Sequence, residues 1–506
     1  MAFLQDSRVA AASLATLAAA SIAHGQVIES PWVTAPSGSW TDAARWSTPE
    51  FPTARGPDEY RAIIDVLGGP YTISLGSDID LSELVYTSSD ATIDGGGVGT
   101  IVVRDDLEFG ATTVRAIAEL MSEGTLRFTG DTVCEIDDTP LCLPGLASAR
   151  KLGAGDILLS GTGLIEISSG ATFTIENSGD IIGDPTARLI NAGTFTKDSP
   201  GLTLIEDLAF ENTGTVVVRQ GTLEITDPVL PSIGVLGPAT YEIDPGAAVS
   251  FSGTTLDTNQ ADVIFNGPGA SFSELSGVTL NQGLVLAAGG AAFVFSDNST
   301  FTNEGDLAAL GSGSVISTIG AISNNNSALT VDGGGVISAG GTGVTNNGLA
   351  QGVGTIVGET FLNIGVVSPG NSPGTLVTES ATGANHVFEQ TGAGVLMIEI
   401  EGRTPGVTHD VLEVRGVAIF DGTLQLDFAP FSGEPPIQAG DQFQIILADN
   451  IDGVFNNIDI SGLGTEGAVD VFLNPTGVVV VVTQVPAPGA IAVLGLGGLA
   501  ALRRRR

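Results

Sequence analysis

The sequence predicts an all-β chain: a right-handed parallel β-helix, or solenoid of stacked coils, followed by a C-terminal β domain. Three observations carry this. Runs of four to seven residues alternate β-branched or aliphatic with small polar side chains and are bounded by Gly, Asn, Asp and Ser, as in Leu164-Ile165-Glu166-Ile167, Thr172-Phe173-Thr174-Ile175 and Thr215-Val216-Val217-Val218. Asn-x-Gly followed closely by an apolar side chain recurs at Asn177, Asn191, Asn212, Asn281, Asn303, Asn346 and Asn363, with gaps of 14, 21, 69, 22, 43 and 17 residues. Two of the wide gaps are near multiples of about 22, a length that suits one coil of three short strands and their turns. Asn and Gly belong at coil corners because both tolerate the left-handed backbone. Helical periodicity is nearly absent, the best candidate being residues 111–123 with Val114, Ile117, Leu120 and Met121.

The elements follow in order. Residues 1–25 hold Arg8, an uncharged Ala- and Leu-rich run from Val9 to Ala23, and Ala23-His24-Gly25 before Gln26. A small-x-small site after such a run predicts a secretory signal peptide and a mature chain beginning near Gln26. Residues 26–149 are expected to form an N-terminal capping β region. It holds all three tryptophans, Trp32, Trp40 and Trp46, in and just before Gly38-Ser39-Trp40-Thr41-Asp42-Ala43-Ala44-Arg45-Trp46, then Pro57-Asp58 and a strand-like Ala62-Ile63-Ile64-Asp65. This stretch resembles the opening segment of secreted bacterial β-helix proteins of the autotransporter-passenger type. Large aromatics make physical sense there because the open end of a solenoid must be covered; the functional alternative is an aromatic platform for carbohydrate. The only cysteines, Cys134 and Cys142, flank a short Pro-containing loop. In an oxidising compartment they are expected to form a disulfide, since zinc would need more ligands than the chain offers nearby.

Residues 150–370 carry the solenoid repeats, with small or aliphatic side chains expected inward and Val217 among the inward candidates. The repeat ends at Ser368-Pro369-Gly370-Asn371-Ser372-Pro373-Gly374, which is similar to a junction common in the same passenger-like proteins. Two Pro-Gly pairs this close favour consecutive tight turns, so the chain is expected to leave the coil here. Residues 371–484 then read as the C-terminal β domain, with strand-like runs at 395–400, 411–414, 418–420, 423–428, 443–447 and 478–482.

Residues 485–506 open with Val485-Pro486-Ala487-Pro488, continue with fourteen apolar or small residues from Gly489 to Leu502, and end in Arg503, Arg504, Arg505 and Arg506. As a helix the run spans about 21 Å, short of a ~30 Å hydrocarbon core, and the arginines would stay cytoplasmic. This order resembles the PEP-CTERM protein-sorting signal of Gram-negative bacteria, with Ala487 where a glutamate is usual. The resemblance implies an exosortase-type processing enzyme as partner, cleavage near Pro486 to Pro488, and transient membrane contact through the C-terminal helix. It also implies a destination that is secreted, at the cell surface or in the extracellular matrix.

Acids outnumber bases 57 to 18, for a formal charge of −39, and the only lysines are Lys151 and Lys197. Ordinary nucleic-acid binding is excluded, because phosphate contacts need a basic surface. Hydrophobic content of 42% with 15% charged residues argues that the chain folds all the same. Between residues 221 and 402 there is no Lys or Arg, whereas a lyase acting on uronates would want cations to stabilise the developing anion. His386 and His409 sit in no nucleophile motif, and His409-Asp410 reads as a turn pair. Glu399 and Glu401, like Asp137 and Asp138, read as exposed acids that keep a β surface soluble. No nucleotide-binding loop is present. Calcium is the cofactor worth considering, with Asp297, Asp306 and Asp332 as ligands of the right kind, but no EF-hand loop or nonapeptide array accompanies them. The sequence therefore assigns no catalytic, cofactor-binding or metal residues. Its expected function is that of a non-catalytic structural or adhesin-like protein, whose partners would include exopolysaccharide or surface glycans; the alternatives are a carbohydrate-active β-helix enzyme and a glycan-binding protein.

Overall fold

The computed structural model of the chain describes residues 27–54, 59–341, 343–370, 373–383, 385–429 and 435–485. The signal segment, and the sorting motif except Val485, lie outside the described residues, as do Pro57, Asp58, Asn371 and Ser372. Val485 packs against the core.

The strands stack as a parallel β-solenoid of about 14 turns. At about 4.8 Å per coil, the stack is about 65 Å long. Each coil supplies strands to three ladders. In one, Thr125–Phe128 pairs with Ser148–Lys151, which pairs with Thr172–Ile175. In the second, Cys134–Asp137 pairs with Ile157–Ser160, and in the third Pro140–Leu143 pairs with Leu164–Ile167, then Arg188–Asn191. Alternation explains why these runs form strands: every second side chain points into the coil, where Phe173, Phe195 and Val216 are stacked in register and fully buried. Buried rings follow one another along the axis, with Phe173 and Phe195 parallel at 5.6 Å and Phe361 and Phe388 at 5.4 Å.

The third ladder carries a buried polar column. Asn259, Asn281, Asn303, Asn324, Asn346 and Asn363 are fully buried. Each Nδ2 donates to the Oδ1 of the next at 2.8, 2.8, 2.9, 2.8 and 3.0 Å, and Gln390 continues the run. An amide both donates and accepts, so a stack of them satisfies itself without water. The wide gaps in the Asn-x-Gly pattern are filled here by Asn259 and Asn324, which lack the glycine, and by Leu236, in register with Asn259. None of the column residues has positive φ, so the expectation that these asparagines serve as left-handed corners is corrected: they sit at strand ends and face inward. The glycine also has a different reason. A Cβ on Gly305 would lie 2.0 Å from the carbonyl oxygen of Gly283 in the coil below, so bare backbone is required for the coils to approach.

Several other expectations change. The candidate helix at 111–123 is instead two strands, Thr113–Arg115 and Glu119–Ser122. A corner at Ala116, with φ of 47°, shifts the phase between them, so inward Val114, Ile117 and Leu120 fall at spacings of three and mimic a helix. The boundaries at 149/150 and 370/371 mark no change of architecture. Parallel stacking begins with Val27–Pro31 on Glu59–Ile64 and runs on through Thr375–Glu379, Val411–Phe420 and Gln442–Gly453. Pro369-Gly370 and Pro373-Gly374 lie between Val366–Pro369 and Thr375–Glu379, both of which remain in the parallel stack, so the Pro-Gly pairs do not mark an exit from it. Among the described strands, only Ala468–Asn474 and Gly477–Gln484 enter antiparallel pairings with each other, and the latter also runs antiparallel along residues 442–447. Val217 points outward, whereas its neighbours Val216 and Val218 are fully buried.

The expected disulfide is not formed: Cys134 and Cys142 are both free thiols. They lie on successive strands either side of a corner at Asp138, where φ is 45°. Cys134 shares the inward phase of Ile136, while Cys142 lies between inward Leu141 and Leu143 and faces out. Burial pushes the Cys134 thiol up to about 12; burial and then Glu166 and Glu119 push Cys142 up to about 11. Denatured, unreduced protein should titrate as two free thiols, and native protein should alkylate at Cys142 while sparing Cys134; a mass consistent with an internal disulfide would contradict this arrangement.

Candidate functional site

The tryptophans were the candidate aromatic platform. Trp32, Trp40 and Trp46 are 1%, 0% and 4% exposed and pack on each other, with ring centroids 5.0 and 4.9 Å apart. Their indole N–H groups are consumed internally: Trp40 donates to the Pro52 carbonyl at 3.0 Å and Trp46 to that of Trp40 at 2.7 Å. No ring face is free for a sugar to stack on. The cluster instead fills the first coil.

Cations are placed by the coil repeat. All ten arginines among the described residues face a carboxylate, in most cases on an adjacent coil: Arg61 with Glu83 at 3.2 Å, Arg127 with Asp106 at 3.0 Å, Arg150 with Glu176 at 2.6 Å, Arg219 with Asp198 at 3.1 Å. The remaining six follow the same rule. Such exposed pairs contribute only about 0–1 kcal/mol each; their larger effect is to neutralise the cations. Both lysines are fully buried. Lys151 Nζ donates to the carbonyl of Gly153 at 3.2 Å, and Lys197 Nζ to Ser199 Oγ at 3.1 Å and to the Gln220 carbonyl, in the next coil, at 3.2 Å. Each ammonium thus ties corner carbonyls together inside the wall, and burial lowers the pKa of both.

The described histidines, His386 and His409, are buried too. His386 Nδ1 lies 2.8 Å from the Gly358 carbonyl, and His409 lies between the Gly402 and Gln444 carbonyls at 3.0 and 3.2 Å. Desolvation lowers the pKa of each. Asp410 is not part of a surface turn: it is fully buried, accepting from the backbone N–H of Gly374 at 2.9 Å and of Glu399 at 2.8 Å. It pins the corner after the Pro-Gly turns to the next coil. Glu399 is also nearly buried, which corrects its reading as an exposed acid. Burial raises the Glu399 pKa and pushes Asp410 up to about 8, outweighing the two N–H donors; the nearby Glu399 and Glu401 charges add to the rise. A carboxyl whose folded value is raised stabilises the fold below its unfolded value and loses that contribution as pH climbs through the folded one. Thermal stability should therefore fall as pH rises from about 4 through 8, and Asp410→Asn should flatten that part of the profile; an unchanged slope in the variant would reject the assignment.

The three calcium candidates do not converge. Asp306 and Asp332 lie at opposite ends of adjacent paired strands, Asp332 being opposite Leu310, and the Asp297 carboxylate accepts from Ser299 in its own turn. Among the described residues there is no group of three His, Cys, Asp or Glu side chains that could hold a metal ion, and no helix is long and apolar enough to cross a membrane. One open cleft of about 450 Å³ lies near the C-terminal end, lined by Glu389, Gln390, Asp421, Val454 and Asn456 among others. The side chains that sequence reasoning missed are structural ones, Lys151, Lys197 and Asp410, and their signal was faint because a charged residue on an alternating strand is ordinarily on the outer face. No protein-family model matches the chain, and no curated protein matches it.

Proposed function

We propose that the protein is a secreted, non-catalytic structural or adhesin-like component of the cell surface or extracellular matrix. It would be delivered by the segment at 1–25 and sorted through the signal at 485–506. The observation that supports this reading is the fate of the cations among the described residues: arginines matched to carboxylates, lysines and histidines inside, so that the groups these residues leave to meet a partner are carboxylates, amides and hydroxyls on a rigid rod. Such a wall suits contact with matrix glycans through hydrogen bonds. It does not suit cleavage of anionic polysaccharides, which needs a cation at the developing charge. The rival reading, a carbohydrate-active enzyme, draws on the raised carboxyls Glu399 and Asp410, but Asp410 is sealed and already bonded to two backbone amides.

Mass spectrometry of the intact protein from its native host should give a chain that begins near Gln26 and ends before the apolar tail. Arg503 to Arg506 still attached in surface-extracted protein would sink the sorting half. Reproducible turnover of any polysaccharide, abolished by changing one Asp or Glu, would replace the scaffold with the enzyme.

A further inference from the structure

Among the described residues, the last coil is covered on one ladder, bridged at one point on the second and open on the third. Residues 442–447 are covered by the antiparallel strand Gly477–Gln484. Residues 450–453, which pair with the coil below through Val417 to Phe420, are met beyond that ladder by one bond, from the Ile451 N–H to the Pro475 carbonyl at 2.9 Å, whereas the strand Asn457–Ser461, which pairs with Thr423–Phe428, has no ladder partner on its far side among the described residues. The inward side chains record this. Ile458 and Ile460 sit in register above Leu424 and Leu426; the lower pair is fully buried, the upper pair 40% and 39% exposed. Val454, at the corner between these two strands, is 62% exposed, and the 450 Å³ cleft opens beside it. The end is also uniformly acidic: Asp449, Asp452 and Asp459 are exposed, Asp421 and Glu389 line the cleft, and residues 442–485 contain no Lys or Arg.

We propose that this open coil end is a docking surface for an extended, cationic polypeptide segment of a partner protein, which adds a strand beside Asn457–Ser461. The free N–H and C=O groups of that strand supply the ladder. Alternate apolar side chains of the partner cover Ile458 and Ile460, and its Lys or Arg side chains on the other phase meet Asp459 and Asp452. Charge selects this occupant. A second copy meeting the same end would set these acids against themselves, whereas a basic strand is complementary and is drawn in by the field of the whole rod.

The test uses the full chain and a fluorescent octapeptide of alternating lysine and valine at about 0.15 M salt, read by anisotropy and by hydrogen exchange. Saturable one-to-one binding is expected, with the amides of Asn457–Ser461 gaining protection. Ile458→Lys and Ile460→Lys should each weaken binding at least about tenfold, and Ile319→Lys, at an exposed apolar position far from this end, should not. Asp459→Asn should weaken binding and reduce its salt dependence without touching the interior. A peptide with proline in place of each valine, which cannot donate to a ladder, should not bind. Equal binding of the two peptides with no new protection would overturn the proposal in favour of simple attraction to a polyanion. A dimer of the chain that Ile458→Lys dissolves would overturn it in favour of a second copy, and binding seen only after removal of residues 486–506 in favour of the chain's own tail.

Discussion

Replacing Val216 with aspartate is expected to disorder the coils on either side, while the same change at Val217 leaves them standing. Val216 lies between Phe195 and Tyr241 in an inward column and is fully buried. No cation lies beside it in that column to pair with a carboxylate. An uncompensated buried charge costs on the order of 3–5 kcal/mol unless the group is driven to protonate, in which case its pKa rises by units. In a stack where each coil contacts only its neighbours, such a loss is felt locally before it is felt globally. Hydrogen exchange should therefore show lost protection around residues 194–251 in the Val216→Asp protein. At Val217, which points out of the coil beside the partly exposed Glu242, the cost should be within about 0.5 kcal/mol, as for most surface substitutions. Equal damage from the two changes would refute the assigned phase of this strand.

A second large effect is expected in the amide column. Asn281 Oδ1 accepts from Asn259, and its Nδ2 donates to Asn303 Oδ1. Asn281→Leu fits in shape, since Leu236 occupies the same column, but leaves Asn303 Oδ1 buried without that donor, at a cost of about 1–3 kcal/mol. Asn281→Asp should be worse. Its carboxylate still accepts from Asn259 but presents an oxygen to the Asn303 oxygen, so a buried charge faces an acceptor, and the loss should grow as pH rises above the range where the group stays protonated. Denaturant unfolding of the three proteins over a pH series measures both effects; a pH-independent Asn281→Asp protein as stable as the parent would show that the column is not a hydrogen-bonded chain.

The coil period was legible because stacking imposes it on composition: from Asn191 onward the Asn-x-Gly spacing marks coil lengths or multiples of them, its wide gaps hiding Asn259, Asn324 and Leu236, whereas Asn177 follows a strand of a different ladder and its 14-residue gap marks none. Chemical meaning was harder to read. Asn303 and Gly305 resemble a turn in one dimension, and only the neighbouring coil reveals that one bonds upward and the other makes room. Val217 was mis-phased because three consecutive valines carry no record of which face is inside. The cysteines, by contrast, could have been placed, since Ile136, Leu141 and Leu143 fix the phase of both strands and set the thiols on opposite faces. Asp410 reads as half of a turn pair and Glu399 as an exposed acid in the sequence because a carboxylate's burial depends on coils some thirty residues away, as the bond from Gly374 to Asp410 shows.

The interior placement of Lys151 and Lys197 has a consequence for attachment. These are the only lysines in the chain, so its outer wall offers no side-chain amine. Reagents and enzymes that form imines, amidines or isopeptide bonds at lysine find no acceptor along the rod, and proteases that require lysine find no accessible bond to cut. A covalent tether along the wall falls to hydroxyls, carboxylates, amides, guanidinium groups or the thiol of Cys142, and the molecule passes through an amine-reactive environment with its sides unmarked.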